Sequence, residues 1–288
     1  MPKTFFVLGG YGGTGRVLCR RLLQFTDVNL VIGGTRLEKA KELAAALNRD
    51  FSGNRARGVY ADASRPESLR EAFQGSTLVV SATNAPNHVA VVVEAAMAAG
   101  ADHLDYHFQQ NVPDILGPLA DKIRANGRCV ITQAGFHPGL PAPLVRYAAA
   151  CFDEYDRAVV AMAMGAKIEK AESAYEIVEE IQNPRAEVYK NGRWVRATYR
   201  DVVKVNLGSF GRRQCYPLEM REMKALPDML GVREAGVYVA GFNWFVDWLV
   251  FPLGYIIGKI KKGAGVRLIS NLFVWGLNNV PQRSEGVV

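Results

Sequence analysis

The residues best placed by type and spacing to do chemistry begin at Gly10. Gly10-Tyr11-Gly12-Gly13-Thr14-Gly15 fits G-x-G-x-x-G at every fixed position. It follows an apolar run, Phe5-Phe6-Val7-Leu8, and precedes Val17, Leu18, Leu22 and Leu23 at helical spacing. Strand, glycine turn and helix in that order are the context in which the motif holds a dinucleotide. Gly10 is expected to permit the tight turn, Gly12 to let a pyrophosphate lie against the backbone, and Gly15 to let helix and strand pack closely. Free N–H groups at the helix start, around Gly13 and Thr14, then face the phosphates. A glycine turn that binds nothing is the competing reading, and the flanking strand and helix count against it.

A second recognition position lies about twenty residues further on, where folds that prefer NAD carry an acid for the ribose 2′-hydroxyl. Here it reads Gly33-Gly34-Thr35-Arg36. With no carboxylate a 2′-phosphate meets no repulsion, and Arg36 can grip it with a charge-assisted fork. NADP is therefore the expected cofactor, with Thr35 beside Arg36. Asp62 is expected either beside the adenine or as the cap of the following turn. Ala82, Thr83 and Asn84 leave a fourth strand where the chain passes the cofactor or simply turns. Two of the four histidines, His107 and His137, follow the fifth and sixth expected strands, and Asp105 stands just before His107. Histidine moves a proton near neutral pH, as hydride transfer at a carbon–nitrogen or carbon–oxygen bond requires. His107, His137 and Asp105 are the catalytic candidates; the alternative is satisfied loop histidines with Asp105 capping a turn. His88 and His103 are read as structural.

The elements that must position these groups alternate. Strands are expected over residues 5–8, 28–32, 57–61, 78–81, 102–105 and 129–133, with helices over 37–47, 66–73, 89–99 and 115–125 between them. Six strands with intervening helices predict an N-terminal doubly wound parallel sheet of the Rossmann type over residues 1–150. In such sheets ligands bind beyond the carboxyl ends of the strands, where both histidines fall. Residues 151–288 read as a second, α+β domain for substrate or dimerisation, with a mixed or antiparallel sheet over the cofactor cleft. It has a strand over 157–164, a helix over 173–181, a hairpin turning at Asn191-Gly192, and strands over 202–207 and 236–240. Its cations Lys167, Arg212 and Arg213 suit a substrate carboxylate, although Arg212-Arg213 reads more simply as a solvated basic loop.

Composition narrows the class. Of 288 residues, 49% are hydrophobic and 22% charged, as in a soluble globular protein. The net charge of +7 is spread along the chain, which suits an anionic cofactor or small substrate rather than nucleic acid. The four cysteines show no metal spacing, which with an N-terminus running straight into a strand predicts a cytoplasmic protein without a leader. Trp244, Trp248, Phe251 and Tyr255 recur at spacings of four, three and four, with Asp247 the one charged side chain from Ala235 to Gly258. That stripe is expected to form a subunit interface, as in a homodimer, or a pocket wall. An interfacial membrane helix with Lys259, Lys261 and Lys262 at the headgroups is the less favoured reading. Asp247 and Pro252 speak against a membrane span.

These residues resemble the saccharopine dehydrogenase-like family of NADP-type oxidoreductases. The resemblance rests on GGYGGTGR at residues 9–16, GTRLEKAKEL after the second strand, YAD at 60–62, AAGADHLDY at 98–106 and AGFHPGL at 134–140. GFNWFVDWLVFPL from Gly241 is similar to a hydrophobic insertion of some members. The resemblance implies hydride transfer between NADP(H) and an imine or secondary amine. His137 stands where the amino-acid-linked members carry an acid, which implies a substrate other than saccharopine. Such proteins continue past this length, so the resemblance also implies a chain that is cut short. The alternative function is a non-catalytic NADP-binding protein that docks on a partner or membrane through residues 241–257.

Overall fold

The computed structural model describes residues 2–165, 168, 174–182, 184–281 and 286–287. It divides into two compact units, Met1–Leu140 and Pro141–Val288. The division falls before helix α7, Pro141–Ala149, rather than at 150, because that helix packs on strand β7, Arg157–Met164, of the second unit.

The first unit alternates β1 Thr4–Leu8, α1 Gly13–Phe25, β2 Asn29–Gly34, α2 Leu37–Asp50, β3 Ala56–Tyr60, α3 Pro66–Ala72 and β4 Leu78–Ser81. It continues through α4 Val89–Ala98, β5 Asp102–Asp105, α5 Val112–Leu116, α6 Ala120–Ala125 and β6 Val130–Ile131. The strands form one parallel sheet in the order β3-β2-β1-β4-β5-β6, the doubly wound order expected. Phe6, Val7 and Leu8 are buried because β1 lies mid-sheet with helices on both faces, and Phe6 meets Phe73 edge-on at 4.7 Å. α1 has no basic residue in its last turn, and Arg55 compensates by donating to Leu23 O at 2.7 Å and Thr26 O at 2.6 Å. The helix expected over 115–125 is instead two pieces, broken around Gly117-Pro118.

The second unit holds a mixed sheet in the order β10-β11-β12-β7-β13. Its further elements are α8 Tyr175–Gln182, β8 Glu187–Lys190, β9 Arg193–Arg196, β10 Val203–Asn206 and β11 Arg212–Leu218. They are followed by α9 Leu226–Leu230, β12 Glu234–Ala240, α10 Phe251–Ile260, α11 Val266–Asn279 and β13 Gly286–Val287. β8 and β9 form the expected hairpin, with Asn191 and Gly192 at φ 54 and 77, the pair of positive values a two-residue turn requires. Arg212 and Arg213 are not in a loop: they open β11, pairing with Asn206 and Val205. Lys167 lies outside the described residues. A π-turn, Val246–Val250, precedes α10, so the aromatic stripe does not stay on one face. Phe251 packs inward against Phe273 at 5.6 Å, while Trp244, Trp248 and Tyr255 face out.

Candidate functional site

The glycine turn leaves β1 at Gly9, which carries a positive φ of +78, so the tight turn expected at Gly10 begins one residue earlier. Gly9 N donates to Gly33 O at 2.7 Å, and Gly12 N donates back to Gly9 O at 2.9 Å. A Cβ on Gly15 would lie 2.4 Å from Gly9 O and 2.7 Å from Gly10 Cα, so only glycine lets α1 start this close to β1. Gly13 faces open space, and Gly13 and Thr14 are exposed. No side chain caps α1, and its first turn holds no acid. The N–H groups that begin the helix are thus presented to solvent with a positive dipole end behind them.

Beside this turn stands an aromatic and cationic platform. Tyr11 Oη accepts from Arg36 N at 3.0 Å, and the Arg36 guanidinium lies over the Tyr11 ring, 5.2 Å from its centroid. Gly34 must lack a side chain for this, since a Cβ there would be 2.5 Å from Tyr11 Oη. Burial pushes the Tyr11 phenol up, but the Arg36 N–H and then the Thr35 and Arg36 side chains outweigh it and hold it below its ordinary value. Arg16, which sequence reasoning left out of the site, reaches Tyr11 O at 3.5 Å. Arg16 and Arg36 make no ion pair among the described residues. Two exposed cations, free helix N–H groups and the absence of an acid fit a dinucleotide with an extra phosphate on its ribose.

Asp62 takes the other role foreseen for it: Ser64 N and Ser64 Oγ donate to its carboxylate at 2.9 and 2.7 Å. The Ser64 hydroxyl, with its N–H, holds that carboxyl below the usual range. Ala82 and Thr83 do lie against the turn: a Cβ on Gly9 would meet Ala82 O at 2.7 Å and Thr83 Cγ2 at 2.8 Å. Asn84 Oδ1 accepts from Gln109 Nε2 at 3.5 Å, which links the β4 and β5 exits. A separate cleft of about 630 Å3, lined by Arg57, Tyr60, Arg65 and Glu71 among others, shares no residue with this site.

The histidine loops are assembled by Asp105. Its side chain is 0% exposed, so it is a positioning residue rather than a group that meets substrate. Asp105 Oδ1 accepts from Thr132 Oγ1 at 2.8 Å, Gln133 N at 3.0 Å and His107 N at 3.1 Å. These bonds turn the chain away from the sheet, with Gln133 at φ 57, which is why β6 ends at Ile131 instead of 133. Gln133 Nε2 then donates to Gln109 O at 2.7 Å.

His107 is 5% exposed, and burial lowers its pKa against the opposing charge of Asp105. His137 is half-buried, edge-on to Phe136 at 5.4 Å and Phe108 at 5.9 Å, with its buried Nδ1 unpartnered. Burial lowers its pKa as well, so a neutral imidazole stands there at neutral pH. His103 is structural, as expected: its Nε2 meets Ser81 Oγ at 3.0 Å inside the sheet, and burial pushes its pKa down to about 4.

Comparison with known proteins agrees with this geometry. The model of the saccharopine dehydrogenase NADP binding domain matches residues 5–193, and the chain belongs to that family. NADP is the cofactor of the domain. Among solved structures, the apo saccharopine dehydrogenase (L-Glu forming) of Saccharomyces cerevisiae is similar in fold, with 15% identity and a TM-score of 0.63. The match covers 82% of this chain and 54% of that one, so the chain spans about half the length of the yeast enzyme. A short-chain dehydrogenase/reductase of Veillonella parvula in complex with NADP matches 36% of this chain and 47% of its own, with 20% identity and a TM-score of 0.31. A comparison with curated protein sequences finds no significant match.

Proposed function

We propose that the protein is an NADP-dependent oxidoreductase that moves a hydride to or from a C=N/C–N or C=O bond of a small substrate, working in a reducing cytoplasm. Bound NADP(H) would supply or accept the hydride. The N–H groups opening α1 would hold the diphosphate, and Arg36 on its Tyr11 platform the 2′-phosphate. His137 would handle the proton that accompanies the hydride, held at the loop exits that Asp105 ties together. The observation that carries this reading is the half-buried His137 ring, whose Nδ1 has no partner among the described residues. An unpaired buried nitrogen is costly, and such groups are retained where a ligand completes them.

The test is consumption of NADPH against a panel of aldehydes, with and without an added amine. Turnover by the wild type should fall about 100-fold or more in His137→Ala, with NADPH affinity unchanged. No consumption across the panel would sink the enzyme reading, and full turnover in both His137→Ala and His107→Ala would remove the histidines from the chemistry.

A further inference from the structure

The second unit carries a helix with most of its bulk turned outward. α10 lays Gly254 and Gly258 inward: a Cβ on Gly254 would lie 3.2 Å from Ile269 Cγ2, and one on Gly258 only 2.6 Å from Gln182 Cβ. Phe251 and Ile257 pack inward beside them, but the other four bulky residues of the helix go outward. Leu253, Tyr255, Ile256 and Ile260 are exposed, as are Trp248 and Leu249 in the π-turn before it. Trp248 is 75% and Ile260 82% exposed, values of side chains with little packed on them.

The patch continues onto α11 through a chain of rings. Trp275 lies 5.1 Å from Phe245, and Phe245 lies 5.9 Å from Trp244, with both tryptophans facing out. A helix of a soluble protein ordinarily turns its bulky apolar stripe to the core and its polar residues to water. Glycine against a neighbouring helix with bulk outward is instead the packing used where the surroundings are themselves apolar. An exposed apolar face of this kind marks a contact.

Charge selects what the contact is. From Trp248 to Pro281 the sequence has four cations, Lys259, Lys261, Lys262 and Arg267, and no acid. All four are exposed. The acid at the edge, Asp247, is turned in and accepts from Phe242 N at 2.9 Å. A second copy meeting this face about a two-fold axis would set the cations against themselves. An anionic lipid surface receives both components, apolar side chains at the acyl boundary and cations among the headgroups, with tryptophan and tyrosine between. Among the described residues no helix is long and apolar enough to cross a membrane, so the arrangement is one that lies in the plane of the interface.

We propose that the face formed by the π-turn, α10 and α11 docks the protein on an anionic bilayer surface. The test is flotation of the full chain with vesicles of phosphatidylcholine with and without phosphatidylserine. The chain should float with the anionic vesicles and much less with the neutral ones, with a blue shift of tryptophan emission. Trp248→Ser/Ile256→Ser/Ile260→Ser should abolish flotation while the circular dichroism spectrum and thermal transition stay those of the wild type, which reports that the protein is folded. Lys259→Gln/Lys261→Gln/Lys262→Gln, confined to exposed side chains, should weaken binding to the anionic vesicles by roughly 100-fold. Failure to float with either lipid, equal flotation with both, or flotation untouched by the lysine changes would overturn the proposal. So would a wild-type dimer in sedimentation that the triple serine variant dissociates without any lipid binding, which would give the face to a second copy.

Discussion

Two helices of this protein use glycine for opposite ends. At the start of α1, Gly13 leaves an open backbone surface, and Gly12 and Gly15 let the turn and helix close on Gly9, so the helix offers its N–H groups to an anion. In α10, Gly254 and Gly258 face a neighbouring helix, and the bulk they displace appears on the outside. The first helix is built to bring a ligand to the backbone, and the second to bring backbone to backbone. The same residue type therefore reads as recognition in one unit and as packing in the other, and the difference lies in what surrounds it.

Substitution at the two kinds of glycine separates them. Gly15→Val places its side chain within 2.4 Å of Gly9 O and 2.7 Å of Gly10 Cα, backbone atoms that have little room to yield. The expected outcome is loss of NADPH binding together with a destabilisation of more than about 3 kcal/mol in urea unfolding. Gly258→Ala meets Gln182 at 2.6 Å and should cost about 1–3 kcal/mol while leaving the NADPH Kd where it was. If Gly258→Ala also weakened NADPH, the contrast between the two helices would fail.

Next in size is Asp105→Ala. It would strand the buried donors of Gln133 N, His107 N and Thr132 Oγ1 and should cost about 3 kcal/mol or more, whereas Asp105→Asn keeps an acceptor oxygen and should cost less. Thermal unfolding of the two variants measures the difference, and equal losses would mean that the loops are not held by this oxygen.

Acid should act on the same unit. His103, His107 and His137 are all held below their ordinary value of 6.5, so the unfolded chain binds more protons than the folded one beneath that pH. The penalty is absent above about pH 6.5 and grows as the pH falls toward the folded values. His103, the most deeply buried of the three rings, carries the largest part of it. Urea titrations of wild type and His103→Gln should show a flatter acid arm in the variant; parallel arms would dismiss the buried ring as its source.

Much of this was legible in the chain because it depends on short-range pattern. The apolar runs, the glycine turn and Asn191-Gly192 each announce themselves within a few residues, and the parallel sheet follows from their alternation. What escaped depends on partners distant in sequence. β11 was missed because Arg212-Arg213-Gln214 reads as solvated, and its strand character comes from pairing with β10 and β12. Asp105 stood out as an acid beside a histidine, but its actual partners, Thr132 and Gln133, sit on the next strand exit. The aromatic spacing near Trp248 assumed an unbroken helix, and one π-turn rotated Phe251 into the core.

The smallest expected effect addresses the charge that the first unit leaves open. Arg36 carries no ion pair among the described residues and rests on the Tyr11 ring, so its strength is reserved for whatever binds beside it. A charge-assisted bond to a phosphate contributes about 1.5–3 kcal/mol, so Arg36→Ala should raise the NADPH Kd by roughly 10-fold or more. NADH, with no 2′-phosphate, should bind the variant as it binds the wild type, and the preference between the two should shrink accordingly. Tyr11→Phe keeps the ring under the guanidinium but removes the oxygen that accepts from Arg36 N, and should move the same ratio by a few-fold at most. Fluorescence titration of both dinucleotides against each variant gives the ratio directly. An equal loss for NADPH and NADH in Arg36→Ala would mean that Arg36 holds the loop rather than the phosphate, and the first unit would then share with α10 a purely structural use of its residues.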